Sequence, residues 1–519
     1  MNYKEVYKDA FWQVVGRVFS AIWWFVVVRM MTPYLGPLRY GDYNTILKYF
    51  AIWSALADLG LYVIALKEIG KLKNQLSDES KLDTVEGKEA LSRYYSKFMG
   101  SRMLNLLIVY GIAIVIAYLI PSYNQNIFIE FGLPLGLMFS ATFVLGYFFQ
   151  LPLQLFGKMH HTTYSLIFSR IVQIAIMWLV LLLWPGVDFN QSTSRTAMIF
   201  CAVLFSVVGS GLAQIIWQYF AWKKYISLYI DFDWSFFKNH ILNNWRFGVG
   251  YFMSSFHTLA VSMLLSWFFP TKDGFVYVWV WGLAMTLVEI LLIVPPSIWN
   301  SILHKISHSG LQAKLKALGT LFISCLSIWA MIGINFWVFG REIIYLVSGT
   351  KYLTSTLSAI GSVGSDYILW FLGIVLVLTF LKQSLNYVLI ATDQQNKLLQ
   401  INTVGVIIGL AVGVRVVYNH NLLGGIVAQV WIELLFFLGA LYYCRKKKIL
   451  PIVDIWFIFK TAATIVVLCI VWRYIDNYIS WELNTTNSII KIIIFNIILL
   501  WVFYLLGGKY IKKFRRSTS

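Results

Sequence analysis

The chain has 519 residues, of which 59% are hydrophobic and only 13% are charged. A soluble globular protein is nearer half apolar and a quarter charged, so this composition excludes a soluble enzyme, a disordered protein and a collagen-like chain. It predicts a polytopic membrane protein. The formal net charge is +19, which we attribute to Lys and Arg in cytoplasmic loops rather than to a nucleic-acid partner.

Hydropathy predicts an all-α protein with about fourteen membrane-spanning helices, since roughly 20 apolar residues cross the hydrocarbon. In chain order, the predicted spans are Phe11–Met31, Tyr43–Leu66, Phe98–Ile120, Phe131–Leu153, Ser165–Trp184, Thr196–Trp222, Asn244–Phe269, Phe275–Trp299, Ala317–Phe339, Ile368–Ala391, Leu398–Tyr418, Gly425–Cys444, Ile455–Trp472 and Ser488–Gly507. The longest polar connection, residues 67–97, is predicted to be a loop.

The distribution of basic residues predicts the orientation. An even number of spans puts both termini on one face. With the N-terminus inside, the inner connections hold 26 Lys and Arg and the outer ones hold 6. Positive charge collects on the cytoplasmic side of membrane proteins, so we expect both termini to be cytoplasmic.

Two outer turns suggest an internal repeat. Residues 35–43 and 269–277 each join two spans through a turn with Pro and Gly, followed by an aromatic residue. The repeat predicts two six-helix lobes, residues 1–222 and 223–444, as in two-lobed transporters. Residues 445–519 would add two helices outside the lobes and a basic cytoplasmic tail.

Three motifs carry a resemblance to a known family. They are Leu35-Gly36-Pro37 with Tyr40-Gly41 and Tyr43, Ala57-Asp58-Leu59-Gly60-Leu61, and Lys67-Glu68-Ile69-Gly70. The chain resembles the polysaccharide flippases, the Wzx-type O-antigen and capsule transporters, which share a superfamily with multidrug exporters and the lipid II flippase.

The resemblance implies a V-shaped pair of bundles in the bacterial inner membrane that works by alternating access. The implied substrate is an oligosaccharide on undecaprenyl pyrophosphate, used for lipopolysaccharide or capsule. It also implies possible contacts with a polysaccharide polymerase or assembly proteins. We expect a monomer that needs no cofactor.

Ten basic residues fall inside the predicted spans, against three acids. A charge in hydrocarbon costs at least about 2.5–3.5 kcal/mol, so each one needs a reason. Four of these cations share a helix face with polar residues or adjoin them, and are predicted either to line a wet cavity that binds pyrophosphate or to form structural ion pairs: Arg17, Lys48, Arg170 and Lys382. Lys491 is predicted to snorkel.

A hydroxyl-bearing stripe on the seventh span, Tyr251, Ser255 and Thr258, is predicted either to face a sugar or to bind neighbouring helices together. Glu289 and Glu433 are candidates for ion pairs with cavity cations or for a coupling proton. Asp58 is interpreted as structural.

Two other functions stay open at this point. A multidrug or cation antiporter of the same fold would favour an acidic cavity, which the basic excess argues against. A membrane polysaccharide polymerase or ligase would be an enzyme, and the chain carries no nucleotide-binding motif for one. His160-His161 lacks nearby acids in sequence and the four cysteines form no CxxC motif, so no metal site is predicted.

Overall fold

A computed structural model describes residues 3–292 apart from 60, 82–83, 190 and 270–271, together with residue 319, residues 332–450 apart from 358–362 and 393, and residues 455–479 and 482–518. The regular elements in these ranges are all helices. Seven of them, counted over the described residues, are long and apolar enough to cross a membrane. The predicted all-α polytopic fold is confirmed, while the count of fourteen spans stays a prediction.

The described helices overlap most of the predicted spans, whereas most of the predicted span Ala317–Phe339 and the end of Phe275–Trp299 lie outside the described residues. The helices are α1 (Tyr3–Asp58), α2 (Leu61–Asp78), α3 (Val85–Leu119), α4 (Pro121–Asn124), α5 (Ile127–Leu155), α6 (Met159–Leu183), α7 (Ser194–Trp222), α8 (Trp234–Phe268), α9 (Lys272–Leu292), α10 (332–348), α11 (Thr354–Leu357), α12 (Ser365–Ala391), α13 (Gln395–Lys446), α14 (Ile455–Ile479) and α15 (Thr485–Thr518).

Two long helices join predicted spans through a sharp kink. The helix α13 contains both of its spans, whereas α1 contains the first span and the second only as far as Asp58, and α2 continues from Leu61. In α1 the kink lies at Gly36, whose φ of 68° falls in the left-handed region that glycine adopts without a steric penalty. In α13 the kink lies at His420 and Asn421, and Asn421 has a φ of 49°. In each case one or two non-helical residues connect the flanking helical segments, and no longer loop lies between them.

The polar segment 67–97, predicted as a loop, is instead mostly helical. The α2 helix continues to Asp78, and α3 begins at Val85 after the Thr84 side chain accepts a hydrogen bond from the Gly87 amide at 3.2 Å. The prediction was wrong because polarity was read as a loop signal, whereas apolar residues on one side of these helices, such as Ile69, pack into a buried cluster.

The chain divides into two compact units. The first comprises Met1–Gly282, Pro296–Ser301 and Gln395–Ile432. One of its hydrophobic clusters joins α2, α3, α5 and the end of α7, with these buried members: Ala65, Ile69, Leu91, Tyr95, Phe98, Met99, Phe148, Phe149, Leu151, Leu153, Trp222 and Ile226. The predicted lobe boundaries at residues 222 and 444 stay a prediction.

The second unit comprises Leu283–Pro295, Ile302–Gln394 and Glu433–Ser519. Its α10, α14 and α15 share a buried cluster of Phe339, Cys469, Trp472, Phe495 and Leu499.

Polar contacts hold α15 to α10 within this unit. The side-chain amides of Asn335 and Asn496 exchange hydrogen bonds of 3.0 and 2.8 Å. Lys491 does not snorkel as predicted, since it is buried and lies 2.6 Å from Asp476 and 3.5 Å from Glu342. Sequence hydropathy missed this cluster because its acids lie at helix ends, outside the predicted spans.

Candidate functional site

Arg170 on α6 is a half-buried cation that faces α1. Its Nε donates a hydrogen bond to the Ser20 hydroxyl at 3.1 Å, and its Nη1 donates to the Gln173 side-chain oxygen at 2.5 Å. The guanidinium carbon lies 5.1 Å from the centroid of the Trp24 ring. The guanidinium is therefore oriented by neutral groups.

A close contact between α1 and α6 positions these groups. Gly16 is buried, and a Cβ built there would lie 2.7 Å from the Thr163 hydroxyl oxygen, so the helices meet where a side chain is missing. The same hydroxyl donates to the Trp12 carbonyl at 2.6 Å. Ser20 follows Gly16 by one helical turn and thus faces the same neighbour, α6.

Polar groups around Arg170 remain partly unsatisfied. Within the described part of the chain, no carboxylate pairs with Arg170 and its Nη2 makes no hydrogen bond. The buried Gln173 Nε2 and Tyr43 hydroxyl likewise find no partner among the described residues. Tyr43 is close enough to Arg170 to interact with it electrostatically and stacks on Tyr40, with ring centroids 5.8 Å apart. Buried polar groups normally have partners, so this is a site with spare hydrogen-bonding capacity.

Two other predicted cations lie on α1. Lys48 is half-buried, one turn after Asn44, whose side-chain amide donates to the Tyr40 carbonyl at 3.0 Å. Arg17 follows Gly16 in the helix, but its side chain lies outside the part of the structure that is described.

The fourth predicted cation, Lys382 on α12, is paired with an acid. Its Nζ lies 2.7 Å from Glu433 Oε2 on α13, and both side chains are almost fully buried. The ammonium also lies 4.8 Å from the centroid of the Phe436 ring. An ion pair is one of the alternatives that the sequence left open for both residues. Glu289, the other predicted acid, is half-buried near the end of α9.

The predicted sugar-facing residues lie on α8, but the side chains of Tyr251, Ser255 and Thr258 are outside the described part of the structure. Further along the helix, Ser262 and Ser266 are buried. Ser266 donates to the Met263 carbonyl at 2.8 Å.

Sequence analysis did not predict the partner of Arg102 on α3. Arg102 is 1% exposed, and its Nη2 lies 2.6 Å from Asp58 Oδ1 and 2.9 Å from the Val144 carbonyl. Its guanidinium carbon lies 5.2 Å from the Phe148 ring centroid. Asp58 ends α1 just before Leu59, which has a φ of 41°. Within the first unit, this ion pair ties the end of α1 to α3.

Comparisons with known proteins agree with this architecture. A model of the family described as "Polysaccharide biosynthesis protein" matches residues 6–307. A search of curated proteins finds no match. Solved structures of similar fold include a lipid II flippase, MurJ, in an inward closed conformation, with a TM-score of 0.56 and 14% identity over 97% of this chain and 99% of that one.

Two multidrug transporters are also similar in fold. An inward-facing MATE transporter of the MOP superfamily has a TM-score of 0.56 and 14% identity, covering 84% of this chain and 98% of that one. A MATE transporter of Vibrio cholerae has a TM-score of 0.52 and 13% identity, covering 86% and 98%. At this identity the likeness shows the fold alone. Because the family model spans more than half of the sequence, the chain belongs to the polysaccharide biosynthesis protein family.

Proposed function

We propose that this protein is a flippase that moves an oligosaccharide linked to undecaprenyl pyrophosphate from the cytoplasmic to the outer leaflet for surface polysaccharide synthesis. The observation that carries the proposal is Arg170, a cation inside the first unit whose partners among the described residues are neutral. A charge kept in the membrane without an acid needs either water or an anionic ligand. A pyrophosphate headgroup supplies that anion.

The hydrogen-bonding geometry of Arg170 suits a phosphate. Guanidinium presents a planar fork that matches two phosphate oxygens, and such charge-assisted bonds are stronger than neutral ones. Nε donates to Ser20 and Nη1 donates to Gln173. Among the described residues Nη2 has no acceptor, so it can donate to a phosphate oxygen. The unpartnered Tyr43 hydroxyl and Gln173 Nε2 would add two neutral donors.

The remaining predicted cations take different places in this proposal. Arg17 and Lys48 would line the same wet cleft as Arg170, whereas Lys382 would add little net charge because Glu433 balances it. The sugar would contact Tyr251, Ser255 and Thr258, and the polyprenyl tail would stay in lipid. Several moderate contacts suit transport better than one tight site, because the substrate must also leave.

The proposed setting is the inner membrane of a bacterium, with both termini cytoplasmic. The protein would act as a monomer by alternating access, without a cofactor, and would hand its product to a polymerase or to other assembly proteins outside.

The test replaces Arg170 with alanine and with lysine in proteoliposomes that contain a lipid-linked oligosaccharide. Transport is measured as the substrate that a glycosidase added outside can cut. Losing a hydrogen bond to a charged group costs about 1.5–3 kcal/mol, so we expect Arg170→Ala to slow transport by at least about tenfold. Arg170→Lys should retain part of the activity because it keeps the charge but loses the fork.

The matched control is Arg415→Ala, which removes an arginine whose side chain is exposed on α13. Thermal stability is measured for all three variants, because the proposal requires Arg170→Ala to fold like the control. Normal transport by a well-folded Arg170→Ala protein would overturn the proposal. Export of a cationic dye by the same proteoliposomes would favour the antiporter instead.

A further inference from the structure

The connection between α7 and α8 carries three exposed apolar side chains on the face predicted to be cytoplasmic. Residues 227–233 have no regular secondary structure, and α8 begins at Trp234. We define the interfacial strip as Ile230, Phe232 and Trp234. We propose that the interfacial strip inserts into the inner leaflet of the bilayer and contacts the phospholipids there. This inference goes beyond the proposed function, because it requires only that α3 and α7 cross a membrane.

The polarity of this connection is the reverse of what water favours. The three residues of the interfacial strip are 63%, 47% and 59% exposed. The residues between them, Asp231 and Asp233, are less exposed, and both act electrostatically on Lys97 of α3. The acids are therefore turned toward the protein and the apolar side chains away from it. In water both choices cost free energy, since apolar surface stays hydrated and carboxylates lose part of their hydration.

Contacts with α3 fix the depth of the interfacial strip. The Asp233 carboxylate lies 2.9 Å from Lys97, the residue just before the predicted span Phe98–Ile120. The Asp231 carbonyl approaches Gly100 so closely that a Cβ added to this glycine would overlap the carbonyl oxygen. The connection thus lies at the level where α3 enters the hydrocarbon. At that level the medium beside an exposed side chain is the inner interface of the bilayer.

The connection is also held from both of its ends. The Ser227 amide donates a hydrogen bond to the Ser92 hydroxyl of α3 at 3.0 Å. Asp233 caps α8 by accepting a hydrogen bond from the Phe236 amide at 3.0 Å. The Phe236 ring meets the Phe98 ring edge-on, with centroids 5.0 Å apart. The interfacial strip cannot turn its apolar side chains toward the protein without breaking these contacts.

The neighbouring residues match a lipid interface. Lys223 and Lys238 flank the interfacial strip and are exposed, and aromatic and basic residues anchor proteins at such interfaces. Trp234 and Lys238 are one helical turn apart, so they lie on the same side of α8. Phe220, near the inner end of the membrane-spanning α7, is exposed as well. Lipid-facing surface therefore adjoins the start of the connection, which favours phospholipid over a protein partner as the occupant.

The experiment places the photoreactive amino acid benzoylphenylalanine at Phe232 of the full-length protein. The protein is reconstituted into liposomes of phosphatidylcholine and phosphatidylglycerol and is then irradiated. The excited ketone takes a hydrogen atom from a nearby acyl chain, and the two resulting carbon radicals combine. The product therefore has the mass of the protein plus one phospholipid, and mass spectrometry of the intact protein identifies the occupant.

Two exposed apolar positions on α3 serve as matched controls. Leu107 lies well inside the predicted span, so the same amino acid there should give lipid adducts. Val85 begins α3 and is equally exposed, but at about 1.5 Å per residue it lies roughly 20 Å from the hydrocarbon. Because interfacial side chains reach about 5–10 Å into the bilayer, we expect Phe232 to match Leu107 within about threefold and to exceed Val85 at least about tenfold.

Each outcome decides the proposal. A lipid-adduct yield at Phe232 as low as that at Val85 overturns it, because the interfacial strip then faces water. Adducts with another copy of the chain, or within one chain, in place of lipid overturn it too, since the strip then contacts protein. Should the Phe232 variant have a lower Tm than the wild type, the amino acid is placed at Trp234 with the same controls. None of these measurements depends on transport, so the proposed function can fail while this inference stands.

Discussion

Arg102 and Arg170 lie in apolar helices of the same unit, yet their surroundings differ. Arg102 is 1% exposed and touches an acid, Asp58, at 2.6 Å. Arg170 is half-buried and, among the described side chains, contacts a hydroxyl, an amide and an indole. The first arginine is neutralised inside the protein, whereas the second keeps its charge available. The partner therefore decides whether an intramembrane arginine is structural or poised for a ligand.

The largest effect is expected from removing Arg102, the arginine that we interpret as structural. Arg102→Met leaves the Asp58 carboxylate, only 13% exposed, without its partner. Breaking a buried ion pair costs about 3–5 kcal/mol, so we expect a low yield and a strongly reduced Tm. Arg102→Met with Asp58→Asn should recover most of that loss. If the double variant is as unstable as the single one, Arg102 and Asp58 do not act as a structural ion pair.

A slightly smaller loss is expected at Lys382, which tests whether this lysine behaves like Arg102. Lys382→Met leaves Glu433 buried and unpaired, at a cost of about 3 kcal/mol. Lys382→Met with Glu433→Gln should regain stability and transport. If the double variant is stable but transports more than about tenfold slower, Lys382 resembles Arg170 instead.

The sequence predicted the all-α polytopic fold because hydropathy depends on composition along one helix. It also predicted Arg170 as a candidate, since Gln173 lies one turn away on the same helix. It could not predict that Arg102 meets Asp58 or that Lys382 meets Glu433, because each pair joins two different helices. A helix that is apolar nearly all round gives no periodic signal for its rotation, and rotation decides which side chains meet.

The segment 67–97 escaped for a related reason. Its polar residues concealed two helix ends, because the buried positions such as Ile69 and Leu91 are few and widely spaced.

A moderate effect is expected from moving α1 away from α6. This change tests whether Arg170 depends on its contact with α1. Gly16→Ala would place a Cβ 2.7 Å from the Thr163 hydroxyl and 3.1 Å from its Cα. Overpacking costs about 1–3 kcal/mol, and moving α1 should pull Ser20 away from Arg170. We therefore expect transport to fall further than Tm alone explains.

The control for that variant is Gly111→Ala in α3, where no atom lies within 4 Å of the added Cβ. Alanine has the higher helix propensity, by about 1 kcal/mol, so this protein should be at least as stable as the wild type. Normal transport by Gly16→Ala would show that Arg170 does not need its α1 partner.

The smallest effect is expected at a partly exposed ion pair, Lys97 with Asp233. Lys97 donates to the Asp233 carboxylate at 2.9 Å. This contact, helped by the Ser235 hydroxyl and the Phe236 amide, holds the pKa of Asp233 well below its usual range. Asp233 also caps α8 through that amide at 3.0 Å. Asp233→Asn keeps a good capping residue and removes only the charge.

The sign of the pH dependence follows from the lowered pKa. The unfolded aspartate titrates near about 3.9, and the folded one titrates below that. The wild type should thus exceed Asp233→Asn in Tm by a small constant amount at neutral pH, and the difference should shrink only below about pH 4. Because the other carboxylates titrate alike in both proteins, the difference in Tm isolates this group. A difference that persists unchanged to pH 2, or that vanishes already at pH 6, would show that the charge of Asp233 does not supply the stability. Salt should also reduce the difference, since exposed pairs are screened, whereas the loss in Arg102→Met should hardly respond.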